Sequence, residues 1–224
     1  MTKKIDKIKE LIRWELRKNN KMYEWNLHLM IVKKHADKLA DVQSLKASQE
    51  KEVGSGQLPA NDAFHPELSP DREVLELAVW LHDIGKIRYG DVNHHISGAE
   101  DAEVILRDHN YPEETIAKVK ECILTHRMEA RDKIPETTEA KILASADAMY
   151  IFDVIPALFW EACHELGLGV KEACDWVAEE IERNWSRKIL LPEGKDMVRD
   201  KYLAFRTVVE TTRESLNGEK NVRL

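Results

Sequence analysis

The 224-residue sequence is poor in the features that mark several protein classes. It has only three cysteines, Cys122, Cys163 and Cys174, an odd number at no paired spacing. That excludes a disulfide framework, and reduced thiols are the simplest account. Long apolar runs are missing. The longest, such as Val154-Ile155-Pro156-Ala157-Leu158-Phe159-Trp160, falls far short of the ~20 residues of a membrane span. The first residues, Met1-Thr2-Lys3-Lys4-Ile5-Asp6, carry lysine but no apolar stretch, so no secretory signal is expected and the expected compartment is the cytoplasm. Excess positive charge is lacking as well: 34 Lys+Arg stand against 41 Asp+Glu, a net −7. Nucleic-acid backbones want clustered Lys and Arg. Neither a nucleic-acid polymer nor a membrane is therefore expected as a partner.

What is present is helical periodicity. Ile5, Ile8, Leu11, Ile12 and Leu16 form one stripe; Leu27, Ile31, Val32, Ala36, Leu39 and Ala40 form a second. Ser69-Pro70-Asp71 reads as a helix start, with Ser69 as N-cap and Pro70 in the first turn. Its helix, apolar along Val74, Leu77, Ala78 and Leu81, is expected to end near Gly85. Further helices are expected over about 96–108, 112–125, 138–152, 170–185 and 193–216, with a tail from Asn217 to Leu224. No strand pattern and no fixed repeat emerges. Residues 49–69, with Gly54, Gly56, Pro59 and Pro66, read as a surface loop inserted in one domain. The expectation is one all-α domain over 1–224, with a core over about 24–152 and a helical extension over 153–224.

The chemistry concentrates in a few histidines and acids. His82-Asp83 follows an apolar segment, Trp80-Leu81, where ionisable groups are costly to bury unless paired or bound to a metal. Taken alone, the pair favours a helix-terminal His with a capping Asp. His28 shares the second stripe and so faces the core; His35 lies seven residues on, about 10.5 Å along a helix and too far for one ion. Asp147 sits among small residues, Ala144-Ser145-Ala146, at the edge of another stripe.

In this order His28, His82-Asp83 and Asp147 resemble the HD superfamily of metal-dependent phosphohydrolases. The likeness extends through Trp25-Asn26-Leu27-His28, Leu77 to Lys86, His94-His95-Ile96-Ser97-Gly98-Ala99-Glu100, Ile123 to Arg127 and Thr138 to Asp147. It implies an all-α helical bundle holding a divalent ion through His28, His82, Asp83 and Asp147. Three positions depart from many relatives: Ile31 replaces Arg, Glu24 replaces His and Ser145 replaces Asp. They leave the substrate and the surroundings of the ion open.

Two imidazoles and two carboxylates suit Mn, Fe, Co, Ni, Zn or, less well, Mg. Such an ion lowers the pKa of water and offsets charge on phosphoryl oxygens. Asp83 is the candidate proton acceptor. Lys86 and Arg127 are the candidate phosphate contacts; Arg88 and Arg131 favour a solvated surface. His94 and His126 are read as substrate or transition-state contacts, with a second ion at His94 and His126 as the alternative. The stretch after His126 lacks the Gly-Tyr-Pro signature of the branch that cleaves cyclic dinucleotides, so that activity is not expected. The expected function is hydrolysis of a small phosphorylated compound, in particular a nucleotide. The alternatives are a phosphodiesterase, or a non-catalytic metal-containing sensing or interaction module using Trp160, Trp176 and Trp185 as a partner surface.

Overall fold

The computed structural model describes residues 2–53, 69–128 and 133–218. Among these residues there is no strand, and the all-α expectation holds. No single helix among them is long and apolar enough to cross a membrane. The chain packs as two compact units, Met1–Asp147 and Ala148–Leu224, where the sequence reads as one domain with an extension from 153.

The first unit begins with α1 (Thr2–Lys18), whose Ile5, Ile8, Ile12 and Leu16 are buried. Its opposite flank holds the next element by charge and ring: Arg13 lies 4.3 Å from the Trp25 ring and Lys9 lies 5.3 Å from the Trp80 ring. Trp25 and Trp80 stack on each other at 4.8 Å. Cation–π contacts of this kind contribute ~0.5–1 kcal/mol each when exposed. They tie α1 to both segments that carry the first histidines.

Trp25–Leu29 is a π-helical turn, followed by α2 (Met30–Val53). A π turn holds an extra residue, so the face it presents drifts from the 3.6-residue pattern. This explains a misread stripe: Leu27 is 45% exposed, while Leu29 and His28 are buried. Residues 49–53 continue α2 instead of starting a loop. Nothing before Gly54 breaks the helix, and Gln, Lys and Glu favour it. The rest of the expected loop, 54–68, lies outside the described residues.

The next helix, α3 (Arg72–Leu81), is capped by Asp71, not Ser69. The Asp71 carboxylate accepts from Glu73 N at 3.0 Å and Val74 N at 3.2 Å. A carboxylate that takes two orphan N–H groups also complements the helix dipole, which a hydroxyl does not. The helix ends at Leu81, not near Gly85. His82 and Asp83 form the break, and α4 (Ile84–Tyr89) resumes at once.

Gly85 therefore does not terminate a helix. It lies inside α4, where α5 (His94–Asp108) crosses. A Cβ on Gly85 would stand 2.3 Å from His94 O and 2.6 Å from Gly98 N. The glycine lets the helix after His82-Asp83 touch the backbone of the helix that starts at His94. α6 (Glu113–Thr125) returns antiparallel to α5 after a turn through left-handed Asn110, and α7 (Thr138–Met149) carries the buried small residues Ala140, Ala144, Ser145 and Ala146.

The second unit holds a short 3-10 turn (Tyr150–Asp153), α8 (Ile155–His164), α9 (Val170–Arg183), a π-helical turn (Asn184–Lys188) and α10 (Pro192–Gly218). The sequence analysis did not separate α8. Trp185 is not free surface: its ring stacks on Tyr202 at 4.1 Å, with Phe152 edge-on at 6.3 Å. Trp160 is 55% exposed and stacks on His164; Trp176 is half-buried. Of the expected tail, Asn217 and Gly218 continue α10, and 219–224 lie outside the described residues.

Replacing Gly85 by Ala should lower stability by ~1–3 kcal/mol, the usual cost of overpacking, or more because backbone must move. A urea unfolding midpoint equal to that of the unaltered protein would show that α4 and α5 part without cost.

Candidate metal centre

Six side chains from five segments of the first unit converge in two groups. His28 comes from the π turn, His82 and Asp83 from the α3–α4 break, His94 from the start of α5, His126 from the end of α6 and Asp147 from α7. Each break in helical continuity turns a ligand-type side chain inward without uncovering the apolar faces around it.

The first group is His28, His82 and Asp147, with Asp83 beside them. His28 Nε2 lies 2.9 Å from His82 Nε2, 3.1 Å from Asp83 Oδ2 and 3.5 Å from Asp147 Oδ1. His82 Nε2 is 3.7 Å from Asp83 Oδ2 and 3.6 Å from Asp147 Oδ1. The second group is Asp83, His94 and His126. Asp83 Oδ1 stands 3.3 Å from His94 Nε2 and 3.8 Å from His126 Nε2, which are 3.3 Å apart. Asp83 thus turns one oxygen to each group.

These separations suit ions. Donors bound at roughly 2.1 Å stand about 3.0 Å apart at a right angle and about 3.4 Å apart at the tetrahedral angle. The hydrogen bonding makes the same point. The Nδ1 atoms of His82, His94 and His126 lie 2.8, 2.9 and 2.6 Å from the carbonyls of Val79, Asp91 and Ile123. A carbonyl only accepts, so each Nδ1 carries a proton and each ring turns its Nε2 inward. Outer hydrogen bonds of this kind fix the tautomer of metal-binding histidines. Lone pairs facing carboxylate oxygens repel unless a cation lies between them. The donor set therefore fits divalent ions.

Electrostatics agree. Burial opposes charge on His82, but Asp83 and Asp147 outweigh it and hold its pKa up at about 9. Burial, with His82 behind it, pushes His126 down to about 3. For Asp83, burial is outweighed by His82 and Lys86, which hold the carboxyl well below its usual range. Burial of Asp147 is likewise outweighed, here by the hydrogen bond and charge of His82, and its carboxyl is lowered too.

All four expected ligands of the first ion meet. His94 and His126, expected first as substrate contacts, stand at ligand spacing, as the two-ion alternative has it. His126 is a poor proton donor, because its ring is 2% exposed and held neutral. Lys86 lines a small cleft with Lys21, Glu24, His28, Leu29, Asp83 and Ile87, and Lys21 Nζ donates to the Lys86 carbonyl at 2.9 Å. Arg127 reaches Asp91. Arg88 is bonded to buried Glu15 and to Asp101. His35 is buried and belongs to neither group; Arg131 lies outside the described residues. Sequence reasoning missed Lys21 and Asp91. Asp91 had one signal, its place three residues before His94, where a carbonyl meets the Nδ1 of a helix-starting His.

Compared with known protein families, residues 27–150 match the HD domain, a span that contains all six residues of the two groups. No solved structure matches the chain.

Proton release checks the centre. Below about pH 9 the ion-free protein holds a proton on His82 that an ion must displace. Titrating chelator-stripped protein with Mn²⁺ at pH 7.5 should release about one proton at this group, seen by calorimetry in buffers of different ionisation heat. The same raised pKa stabilises the ion-free fold fully below the ordinary imidazole value of 6.5, and this contribution fades as pH rises to about 9. The Tm of ion-free protein should lose that share over this window. Heats of binding that do not depend on the buffer would contradict the protonated ring.

Proposed function

The chain belongs to the HD domain family, and we propose that it is a metal-dependent phosphohydrolase acting on a small phosphorylated compound, in particular a nucleotide, with two ligand groups, meeting at Asp83, that would each hold an ion. The observation that carries the reading is the placement of the two Asp83 oxygens. One joins His28, His82 and Asp147, and the other joins His94 and His126. Divalent ions held by these residues would supply a nucleophilic water near neutral pH and neutralise charge on the oxygens of a phosphoryl group.

The protein's own residues do the rest. Asp83 and Asp147 stay ionised at neutral pH, since both carboxyls are held below their usual range. His82, His94 and His126 keep their Nε2 atoms aimed inward through their Nδ1 bonds to backbone carbonyls. Lys86, half-buried beside Asp83, offers a fixed positive charge where a phosphate would enter, and Lys21 adds a second at the same cleft. These two ammonium groups share the cleft with Glu24 and Asp83, and in a chain of net charge −7 they are its local counter-charges for an anionic substrate. Tyr23 and Leu27, exposed on the segment that carries His28, give an apolar surface suited to a nucleobase.

The test is a matrix of Mn, Fe, Co, Ni, Zn and Mg against phosphomonoesters, nucleoside triphosphates and cyclic nucleotides, with the chelated protein as blank. Metal-dependent phosphate or nucleoside release from at least one nucleotide is expected. Lys86→Ala should keep both ions but lose ~10²–10³-fold in kcat, the usual worth of a fixed donor to transition-state charge. Ion binding without turnover on any substrate would move the protein to the non-catalytic sensing reading.

A further inference from the structure

His94 and His126 lie at one end of the antiparallel pair α5 and α6, the first at the start of a helix and the second just after one. Two left-handed residues that are not glycine flank them. Asn93, at φ 52°, immediately precedes His94, and Met128, at φ 54°, follows Arg127. Such backbone is uncommon and persists where surrounding contacts hold it. Between these two turns one bridge joins the segments. The Arg127 Nη1 donates to the Asp91 carbonyl at 3.3 Å, and Nη2 lies 3.8 Å from the Asp91 carboxylate.

Asp91 is also the residue that orients His94. Its carbonyl accepts the His94 Nδ1–H at 2.9 Å, and its carboxylate stands 3.3 Å from the same nitrogen. One carbonyl therefore takes both a guanidinium anchored next to His126 and the outer proton of His94. The Asp91 side chain is 68% exposed and that of Arg127 16% exposed. An ion pair so open to water is weak as a source of stability. Its value is geometric.

We infer that Arg127 and Asp91 are positioning residues that brace the second ligand group, fixing the spacing of His94 and His126 and thereby the affinity for the second ion. The inference rests on the two-ion reading. It gives Arg127 a role other than phosphate contact. Both residues bear on the second group, Arg127 by its place next to His126 and Asp91 through the His94 Nδ1.

The experiment titrates Mn²⁺ into the chelator-stripped full chain by calorimetry, with metal content counted after gel filtration. The unaltered protein should bind two equivalents. Arg127→Ala should weaken the second ~10–100-fold, as loss of an outer partner does, and leave the first within about twofold. Arg127→Lys, which can still donate to the carbonyl, should recover part of the loss. Asp91→Ala keeps its carbonyl and should cost less than Arg127→Ala. A circular dichroism melt of each variant checks folding. Two equivalents held by Arg127→Ala at unaltered affinity overturn the brace, as does equal weakening of both ions. A raised KM for phosphorylated substrate with normal ion binding also overturns it, and makes Arg127 a phosphate contact. One equivalent in the unaltered protein instead overturns the two-ion reading, and the brace with it.

Discussion

Everything in the first unit answers to one electrostatic constraint: imidazole lone pairs and carboxylate oxygens are brought together at 2.9–3.8 Å in a nearly dry interior. Such an assembly is unfavourable by itself. It is tolerable because protons or ions can sit among the donors, and the raised pKa of His82 shows the demand for positive charge there. The surrounding helices are arranged to meet that demand. Asp83 sits at the meeting point because the break between α3 and α4 frees its side chain to present an oxygen to either side.

Close packing makes the convergence possible. Gly85 and Gly98 let α4 and α5 approach at backbone contact, which draws His94 towards Asp83. Small buried residues, Ala144, Ser145 and Ala146, lead up to Asp147 in α7. On the far side, the stacked Trp25 and Trp80, held by Arg13 and Lys9 of α1, fix the two segments that carry His28 and His82. Core and site are thus one construction. A ligand keeps its place only while apolar neighbours several residues away keep theirs.

The sequence made the helical class legible because nearly every apolar stripe repeats at helical spacing, and it made the first ligand group legible through the order His28, His82-Asp83, Asp147. Boundaries were less readable. The helix takes Asp71 and not Ser69 as its cap, one carboxylate oxygen accepting two N–H groups and its charge meeting the helix dipole, a choice that spacing does not reveal. Gly85 was read as a stop, whereas its role depends on a helix met only in space. The second ligand group stayed ambiguous because His94 and His126 are 32 residues apart and meet each other and Asp83 in space alone. The sequence offered Arg127 as a phosphate contact and did not show Asp91, because their bond links two turns that meet only in space.

The π turn at Trp25–Leu29 has a consequence for how this region can change. It carries one residue more than an α-helical path would need, so it works as a phase adjuster between two rigid faces. Ahead of it, Trp25 must meet Trp80; behind it, α2 must bury Val32, Ala36 and Leu39. Substitution of exposed Leu27 leaves that adjustment intact, whereas Trp25, His28 and Leu29 are buried and held to type. Insertions and deletions do not share that freedom. Removing a single residue from the turn would rotate one face by about 100° relative to the other, so that the tryptophan stack and the inward aim of His28 could not both survive. The turn therefore tolerates a change of residue type only at its exposed positions, and a change of length nowhere.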